Sequence, residues 1–243
     1  MKPPIGRIGG KRVLKARICV LIPKHTTYVE PFVGSGAVFY YKDKSENEII
    51  NDLDAGIFNV HHGLKHHGAE IHELLPRDID KATFDIFKDT KPYNDVDRAI
   101  RDIILSKHSF MLNRINYGNP NGRNRTDYRV YPDRLRNTIV RNEDALEIIK
   151  EYDGENTFFY LDPPYENSKA TAMYENSSFN LQTLADLLRG LKGKFLLSMN
   201  DSPNVRKIFV GFHLTEVETH YKYAAVSKKD PKAKELFIAN YML

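Results

Sequence analysis

The residues best suited to chemistry stand together at Asp162-Pro163-Pro164-Tyr165. They offer one carboxylate, rigidly held carbonyls and one aromatic ring. Each proline lacks a backbone N–H, fixes φ and holds the residue before it extended, so the chain leaves this point stiffly. A carboxylate beside a fixed carbonyl can accept both hydrogens of a planar amino group, and a tyrosine ring can stack on the heterocycle that carries it. A strand-closing turn would use the same residue types, so the tetrapeptide takes its meaning from its surroundings. Immediately upstream, Thr157 to Leu161 is a run of aromatic and β-favouring residues that reads as a buried parallel strand. The four residues therefore follow the carboxyl end of a strand, where open α/β sheets bind ligands.

Three earlier stretches add a ligand of a particular kind. Thr27 to Phe32 reads as a strand running into Val33-Gly34-Ser35-Gly36-Ala37, with a helix from about Val38. Strand, glycine turn and helix form the first unit of a Rossmann-like nucleotide fold. The third glycine of the pyrophosphate fingerprint is missing. The turn suits a ligand that needs close backbone approach and carries no phosphate, such as S-adenosylmethionine, a nucleoside with an amino-acid tail. Next, Glu48 to Asp54 is a short apolar strand ending in Asn51 and Asp52, about where such folds place the carboxylate that binds ribose hydroxyls. Asn and Asp also cap helices well; Asp54 reads as the cap and Asp52 as the ribose ligand. Near the N-terminus, Gly9 and Gly10 allow close backbone approach, and Lys11 sets a cation at the start of a helix over Arg12 to Leu21.

The elements that must position these groups follow from periodicity. Helical patterns occupy Ile57 to Leu64, Lys81 to Phe87 and Val96 to Leu112, where the βα alternation stops. It resumes with a strand at Thr138 to Arg141, a helix after Asn142 to about Tyr152, and the strand before Asp162. Beyond it come a helix at Leu181 to Leu191 capped by Asn180, a strand at Lys194 to Met199, a basic loop at Lys228 to Lys234 and a strand at Leu236 to Tyr241. The pairs His61-His62 and His66-His67 lack the Cys or carboxylate partners of a metal set and read as solvated helix surface, so no metal is expected. Cys19 is the single cysteine and reads as a buried small hydrophobe, which fits a reducing cytoplasm. No apolar run approaches the ~18 residues of a membrane span.

The net charge is only +4, but it is segregated. Residues 1–24 hold seven Lys/Arg and no acid; residues 101–141 hold nine Arg/Lys against Asp102, Asp127 and Asp133. Together they carry +13, leaving −9 on the rest. Such segregation is the footprint of a nucleic-acid binder. Within the second stretch, residues 113–126 are rich in Asn, Gly, Pro and Arg, with few apolar side chains to bury. Arg114, Asn116, Asn119, Arg123, Asn124 and Arg125 are side chains of the types that read base edges and contact phosphates.

The order Gly9-Gly10-Lys11, Glu30-Pro31-Phe32-Val33-Gly34-Ser35-Gly36, Asn51-Asp52, a basic insert, then Asp162-Pro163-Pro164-Tyr165 resembles the Dam-type DNA adenine-N6 methyltransferases of bacteria and their phages. The resemblance covers nearly the whole chain. It implies an α/β, Rossmann-like methyltransferase sheet of seven mostly parallel strands from residues 1–54 and 138–243. A mainly helical target-recognition domain is inserted at 55–137. Carried over by position, Lys11, the Phe32 to Gly36 loop, Asp52 and Asp144 surround S-adenosylmethionine, with Asp52 on the ribose and Asp144 on the adenine amino group. Asp162, Pro163, Pro164 and Tyr165 hold the target base, and Asp162 also borders the cofactor. The chain has Arg7 where the family often has an aromatic, and Ala145 where it often has Phe, which leaves those cofactor contacts more open.

The implied activity is site-specific methylation of adenine N6 in double-stranded DNA, leaving S-adenosylhomocysteine. It would proceed by base flipping and direct in-line transfer. Cytosine-N4 methylation, protein-glutamine methylation and a silent DNA-binding homologue are the alternatives. The expected setting is a bacterial cytoplasm, host- or phage-encoded. A monomer is expected in solution, with dimerisation on DNA and a cognate restriction endonuclease open.

Overall fold

The computed structural model describes residues 1–6, 11–110, 114–118, 123–165, 180–220 and 232–243. In chain order the elements begin with α1 (Lys15–Val20), β1 (Thr27–Glu30) and β2 (Asn47–Asn51). Helices α2 (Ala55–Leu74), α3 (Lys81–Asp89), α4 (Asp95–His108) and α5 (Tyr131–Leu135) precede β3 (Thr138–Arg141). Then come α6 (Ala145–Glu151), β4 (Thr157–Leu161), α7 (Leu181–Arg189), β5 (Lys194–Asn200), α8 (Pro203–Ile208), β6 (His213–His220) and β7 (Lys232–Ala239).

The strands form one sheet in the order β3-β2-β1-β4-β5-β7-β6. β3, β2, β1, β4 and β5 run parallel, and β7 is antiparallel to both β5 and β6. This is the expected α/β architecture. The order reverses between β1 and β4, a topological switch point whose carboxyl side is the usual ligand crevice.

β4 illustrates why these residues make a central strand. All five are buried, as expected for a strand covered on both faces. Because side chains alternate, Phe158 and Tyr160 join the core that includes Tyr28, Leu64 and Ile104, whereas Phe159 and Leu161 join the one that includes Val29, Ile148 and Leu184. The helices start on side-chain caps. Asp54 accepts from Gly56 N, Asn94 from Asp97 N and Asn180 from Thr183 N, each satisfying a donor that would otherwise be orphaned. The caps assigned to Asp54 and Asn180 are therefore observed.

Several element expectations need correction. The helix expected from Val38 is only a helical turn, with Tyr40 N on Gly36 O at 2.9 Å and Lys42 N on Val38 O at 2.9 Å. Lys42 then turns inward to Glu48 at 2.6 Å, which is itself held by Arg134 of α5. α1 begins at Lys15 rather than Arg12, and β7 begins at Lys232, ahead of its apolar run. Neither α8 nor β6 was expected. β6 is an edge strand of sequence His-Leu-Thr-Glu-Val-Glu-Thr-His, too polar to stand out by hydrophobicity. Of the loop expected at Lys228 to Lys234, residues 228–231 lie outside the described residues and 232–234 form the start of β7. Among the described residues, no helix is long and apolar enough to cross a membrane. Cys19 is half-buried, and burial pushes its thiol up to about 11, which fits a packing role.

Candidate active site

The carboxyl ends of the parallel strands β3, β2, β1 and β4 lie side by side at one end of the sheet. At β1 the chain enters Pro31 to Gly36, with Phe32, Val33 and Ser35 buried. Gly34 and Gly36 have φ of 49° and 73°, the left-handed region that side chains disfavour. A Cβ on Gly36 would also lie 2.7 Å from the Tyr40 ring.

Two side chains at the end of β2, Asn51 and the following Asp52, tie the neighbouring turns together. Asp52 accepts from Gly34 N at 2.8 Å and from Asp54 N at 3.0 Å. Asn51 donates to Pro31 O and Glu143 O, both at 3.0 Å, and accepts from Glu143 N at 2.9 Å. Asn51 thus fastens the ends of β1, β2 and β3. Beyond β3, Asp144 caps α6 through Leu146 N at 2.8 Å, and Ala145 is buried behind it. The structure therefore brings Phe32 to Gly36, Asp52 and Asp144 to adjoining strand ends. Arg7 and Asn119 lie outside the described residues.

A residue assigned to solvent supports this turn. His61 of α2 is fully buried, with Nε2 2.9 Å from Gly34 O and Nδ1 2.8 Å from the Tyr40 hydroxyl. A carbonyl only accepts, so Nε2 carries the hydrogen and Nδ1 accepts from Tyr40. The solvated-surface reading is corrected for His61, because α2 packs this face against the sheet; His66 is exposed and His62 half-buried. The clue was positional: His61 follows the apolar Ile57 and Val60 at helical spacing.

Burial lowers the His61 pKa from 6.5 to about 4. Between those values the unfolded chain binds a proton that the folded chain refuses, so this contribution to stability is present above 6.5 and lost as pH falls towards 4. The stability advantage of wild type over His61→Gln should therefore shrink as pH is lowered through that window, with a slope approaching about 1.4 kcal/mol per pH unit. Urea unfolding of both proteins across pH measures it; a constant difference would contradict the buried neutral ring.

At β4 the tetrapeptide is gripped from behind. Lys11, 3% exposed, donates to Asp162 Oδ1 at 2.6 Å and to the Tyr165 hydroxyl at 2.8 Å. Ser198 of β5 also reaches Asp162 Oδ1, at 3.3 Å. Among the described residues, no hydrogen bond reaches Oδ2, and the Asp162 side chain is 20% exposed. Tyr165 donates to Glu235 Oε1 at 2.8 Å. Burial, then Asp162 and Glu235, push its phenol well above the ordinary range, so it is neutral at any working pH. Glu30, at the end of β1, is pushed up to about 8 by burial, with Asp162 adding repulsion, and accepts from Tyr28 at 2.6 Å. Lys11 thus meets the tetrapeptide, an association its distance in sequence concealed.

The insert separates its candidate residues into two groups. Arg114, with φ of 62°, turns inward: Nη1 holds both oxygens of Asp54 at 2.8 and 2.9 Å, and Nη2 holds Asp102 at 3.0 Å. Asn124 is buried and accepts from Lys107 at 3.0 Å and from Tyr128 at 3.3 Å. Against the expectation that these two face DNA, Nη1 and Nη2 of Arg114 and Oδ1 of Asn124 are engaged within the protein. Asn116, Arg123 and Arg125 are exposed; among the described residues, the Arg123 side chain has an exposed pairing with Asp78, at 3.3 Å.

Residues 8–223 match the family model described as D12 class N6 adenine-specific DNA methyltransferase. Among relatives, the type II methyltransferase M1.LlaDCHI of Lactococcus lactis subsp. cremoris is 25% identical, over 96% of this chain and 93% of its own. The type II methyltransferase M.CviBI of Paramecium bursaria Chlorella virus NC1A is 26% identical, over 99% of this chain and 100% of its own. A DNA adenine methylase of Vibrio cholerae serotype O1 is 27% identical, over 87% of this chain and 86% of its own.

Proposed function

Because the chain belongs to the D12 class of N6 adenine-specific DNA methyltransferases, we propose that S-adenosylmethionine lies against the Phe32 to Gly36 turn and that a flipped adenine meets Asp162. The observation that carries this reading is the Asp162 carboxylate at the switch point, with Oδ1 tied to Lys11 and Ser198 and no protein donor on Oδ2 among the described residues.

The donor set fits the cofactor. Backbone at Gly34 permits close approach, and the carboxylates of Asp52 and Asp144 suit ribose hydroxyls and an amino group. A turn without the third glycine suits a ligand without pyrophosphate. When bound, S-adenosylmethionine supplies the electrophilic methyl group.

The protein's residues do the rest. Adenine N6 is inaccessible inside a duplex, so the base is turned out, at a cost of a few kcal/mol. Stacking on Tyr165 returns about 1–3 kcal/mol of it. The N6 lone pair is delocalised into the ring. Asp162 Oδ2 and the Pro163 carbonyl accept the two N6 hydrogens and turn that lone pair towards the methyl group. Positive charge would grow on N6 as it takes the methyl from the sulfonium, leaving S-adenosylhomocysteine; the carboxylate and carbonyl dipole stabilise that charge in place, and one N6 proton is then lost to solvent. Pro163 and Pro164 keep that acceptor pair rigid, so positioning supplies much of the rate.

The test is methyl transfer from labelled S-adenosylmethionine to DNA, followed by digestion to nucleosides. N6-methyladenine is expected; label in N4-methylcytosine, or in no base, would sink the reading. On the DNA side, the exposed Asn116, Arg123 and Arg125 are the proposed contacts. Replacing both arginines by Gln should weaken binding and make the slope of log affinity against log salt shallower by about 2, one counterion per lost phosphate contact. An unchanged slope would remove this loop from the interface.

A further inference from the structure

Glu235 has no part in the chemistry above, yet it lies behind it. It belongs to β7, pairs across the sheet with Asn200 of β5 and Val217 of β6, and is 1% exposed. The next four residues, Leu236, Phe237, Ile238 and Ala239, are all fully buried and apolar. A carboxylate in such a strand costs several kcal/mol in lost hydration unless its oxygens are well partnered. This one is only half partnered. Oε1 accepts from the Tyr165 hydroxyl at 2.8 Å and lies 3.9 Å from Lys11 Nζ, while Oε2 meets no donor among the described residues. A buried polar atom left unmatched in this way calls for a reason other than folding.

The position of the bond supplies one. Tyr165 follows two prolines that stiffen the chain before it, and its ring packs partly against the core containing Leu161 and Met199. Its hydroxyl accepts from Lys11, which also donates to Asp162 Oδ1. The donor direction of that hydroxyl is set by Glu235. The phenolic oxygen lies on the axis about which the ring turns, so it is the O–H direction that sets the plane: conjugation keeps the O–H in the ring plane, and its hydrogen points to Glu235 Oε1. A stacking surface is useful only if its plane is settled before the base arrives.

We propose that Glu235 is a positioning residue for methyl transfer: by accepting the Tyr165 hydroxyl hydrogen from within the sheet, it fixes the ring plane against which the flipped adenine stacks. The inference rests on the reading of Asp162 and Tyr165 as the base site. It predicts that turnover follows the presence of an acceptor for Tyr165, a dependence that a merely structural carboxylate would not produce.

The experiment compares steady-state kinetics and urea unfolding of the full chain carrying Glu235→Ala, Glu235→Gln, Tyr165→Phe and the Ala/Phe pair. Glu235→Ala should lower kcat by about 10²-fold, the scale expected when a reacting group is misplaced by about 1 Å. Glu235→Gln keeps an acceptor oxygen for Tyr165 and should recover most of kcat, with an unfolding midpoint equal to or above wild type. The double variant should be no slower than the slower single variant, because both changes cut the same bond. If Glu235→Ala fails to fold, Glu235→Met, which fills the space without offering an oxygen, replaces it. A kcat within twofold of wild type for the acceptor-free variant overturns the proposal. So do multiplicative losses in the double variant, or a Gln variant as slow as Ala. If wild type itself places no methyl on adenine, the function reading fails; if it does and these patterns are absent, only the role of Glu235 fails.

Discussion

Asp162→Ala should reduce methyl transfer by about 10³-fold or more, while S-adenosylmethionine binding stays within a few-fold of wild type. The size follows from removing a preorganised charge at the atom where charge develops, for which single-group losses of about 10²–10³ are usual, together with an acceptor that orients the nucleophile. Cofactor affinity should be nearly spared because the turn at Gly34 and the carboxylates Asp52 and Asp144 stand on β1, β2 and β3, not on β4. Truncation also leaves Lys11 without its 2.6 Å partner. Asp162→Asn, which retains a side-chain oxygen for Lys11, is therefore the companion variant; it should fold as wild type and still be severely slowed, having lost the charge. Single-turnover rates and equilibrium binding of the cofactor measure both. Near-normal turnover in either variant would remove Asp162 from the mechanism.

Arg114→Ala should cost about 3–5 kcal/mol of folding stability, the usual penalty for removing one side of a buried charge pair. Two carboxylates depend on this guanidinium. Asp102 has a side chain only 1% exposed and Asp54 one 10% exposed. Removing Arg114 takes the guanidinium from both carboxylates; Asp102 keeps Asn59 and the neighbouring Arg101, and Asp54 keeps, among its partners, its capping bond to Gly56 N. Arg114→Lys should recover little, because an ammonium cannot reproduce a fork that serves two carboxylates at once. The site would feel the loss as well, since Asp54 follows Asp52 by two residues and Asp52 holds Gly34 N. The fit is tight on the far side too: a Cβ on Gly56 would fall 1.8 Å from Arg114 Nη2. Urea unfolding checks the prediction, and a loss below about 1 kcal/mol would mean that the clamp is not formed in solution.

Arg114 also shows where reading residues in sequence stops. An Asn/Arg-rich loop in a basic stretch signals contact with a polyanion, but composition is silent on which arginine faces outward. That choice was made by Asp54 and Asp102, sixty and twelve positions away. Asn124 was taken inside in the same way by Lys107 and Tyr128. Arg123 and Arg125 stayed outside, where the charge pattern had put the whole group.

The catalytic side was more legible, because its information is local. Two prolines after a buried strand, positive-φ glycines after another, and caps before helices are properties of neighbouring residues, set by backbone sterics and by donors that need partners within a turn. So β1, β2, β3, β4 and β5, the caps Asp54 and Asn180, and the grouping of the glycine turn and Asp52 at their carboxyl ends could be placed from residue order alone. What required the folded chain was every bond between distant segments: His61 on Gly34, Asn51 across three strand ends, Lys11 on Asp162, and Glu235 on Tyr165. A lysine at residue 11 or a glutamate at residue 235 carries no local mark of its partner. Burial selects the partner, because a charge removed from water must find one nearby, and only the sheet order decides who is near.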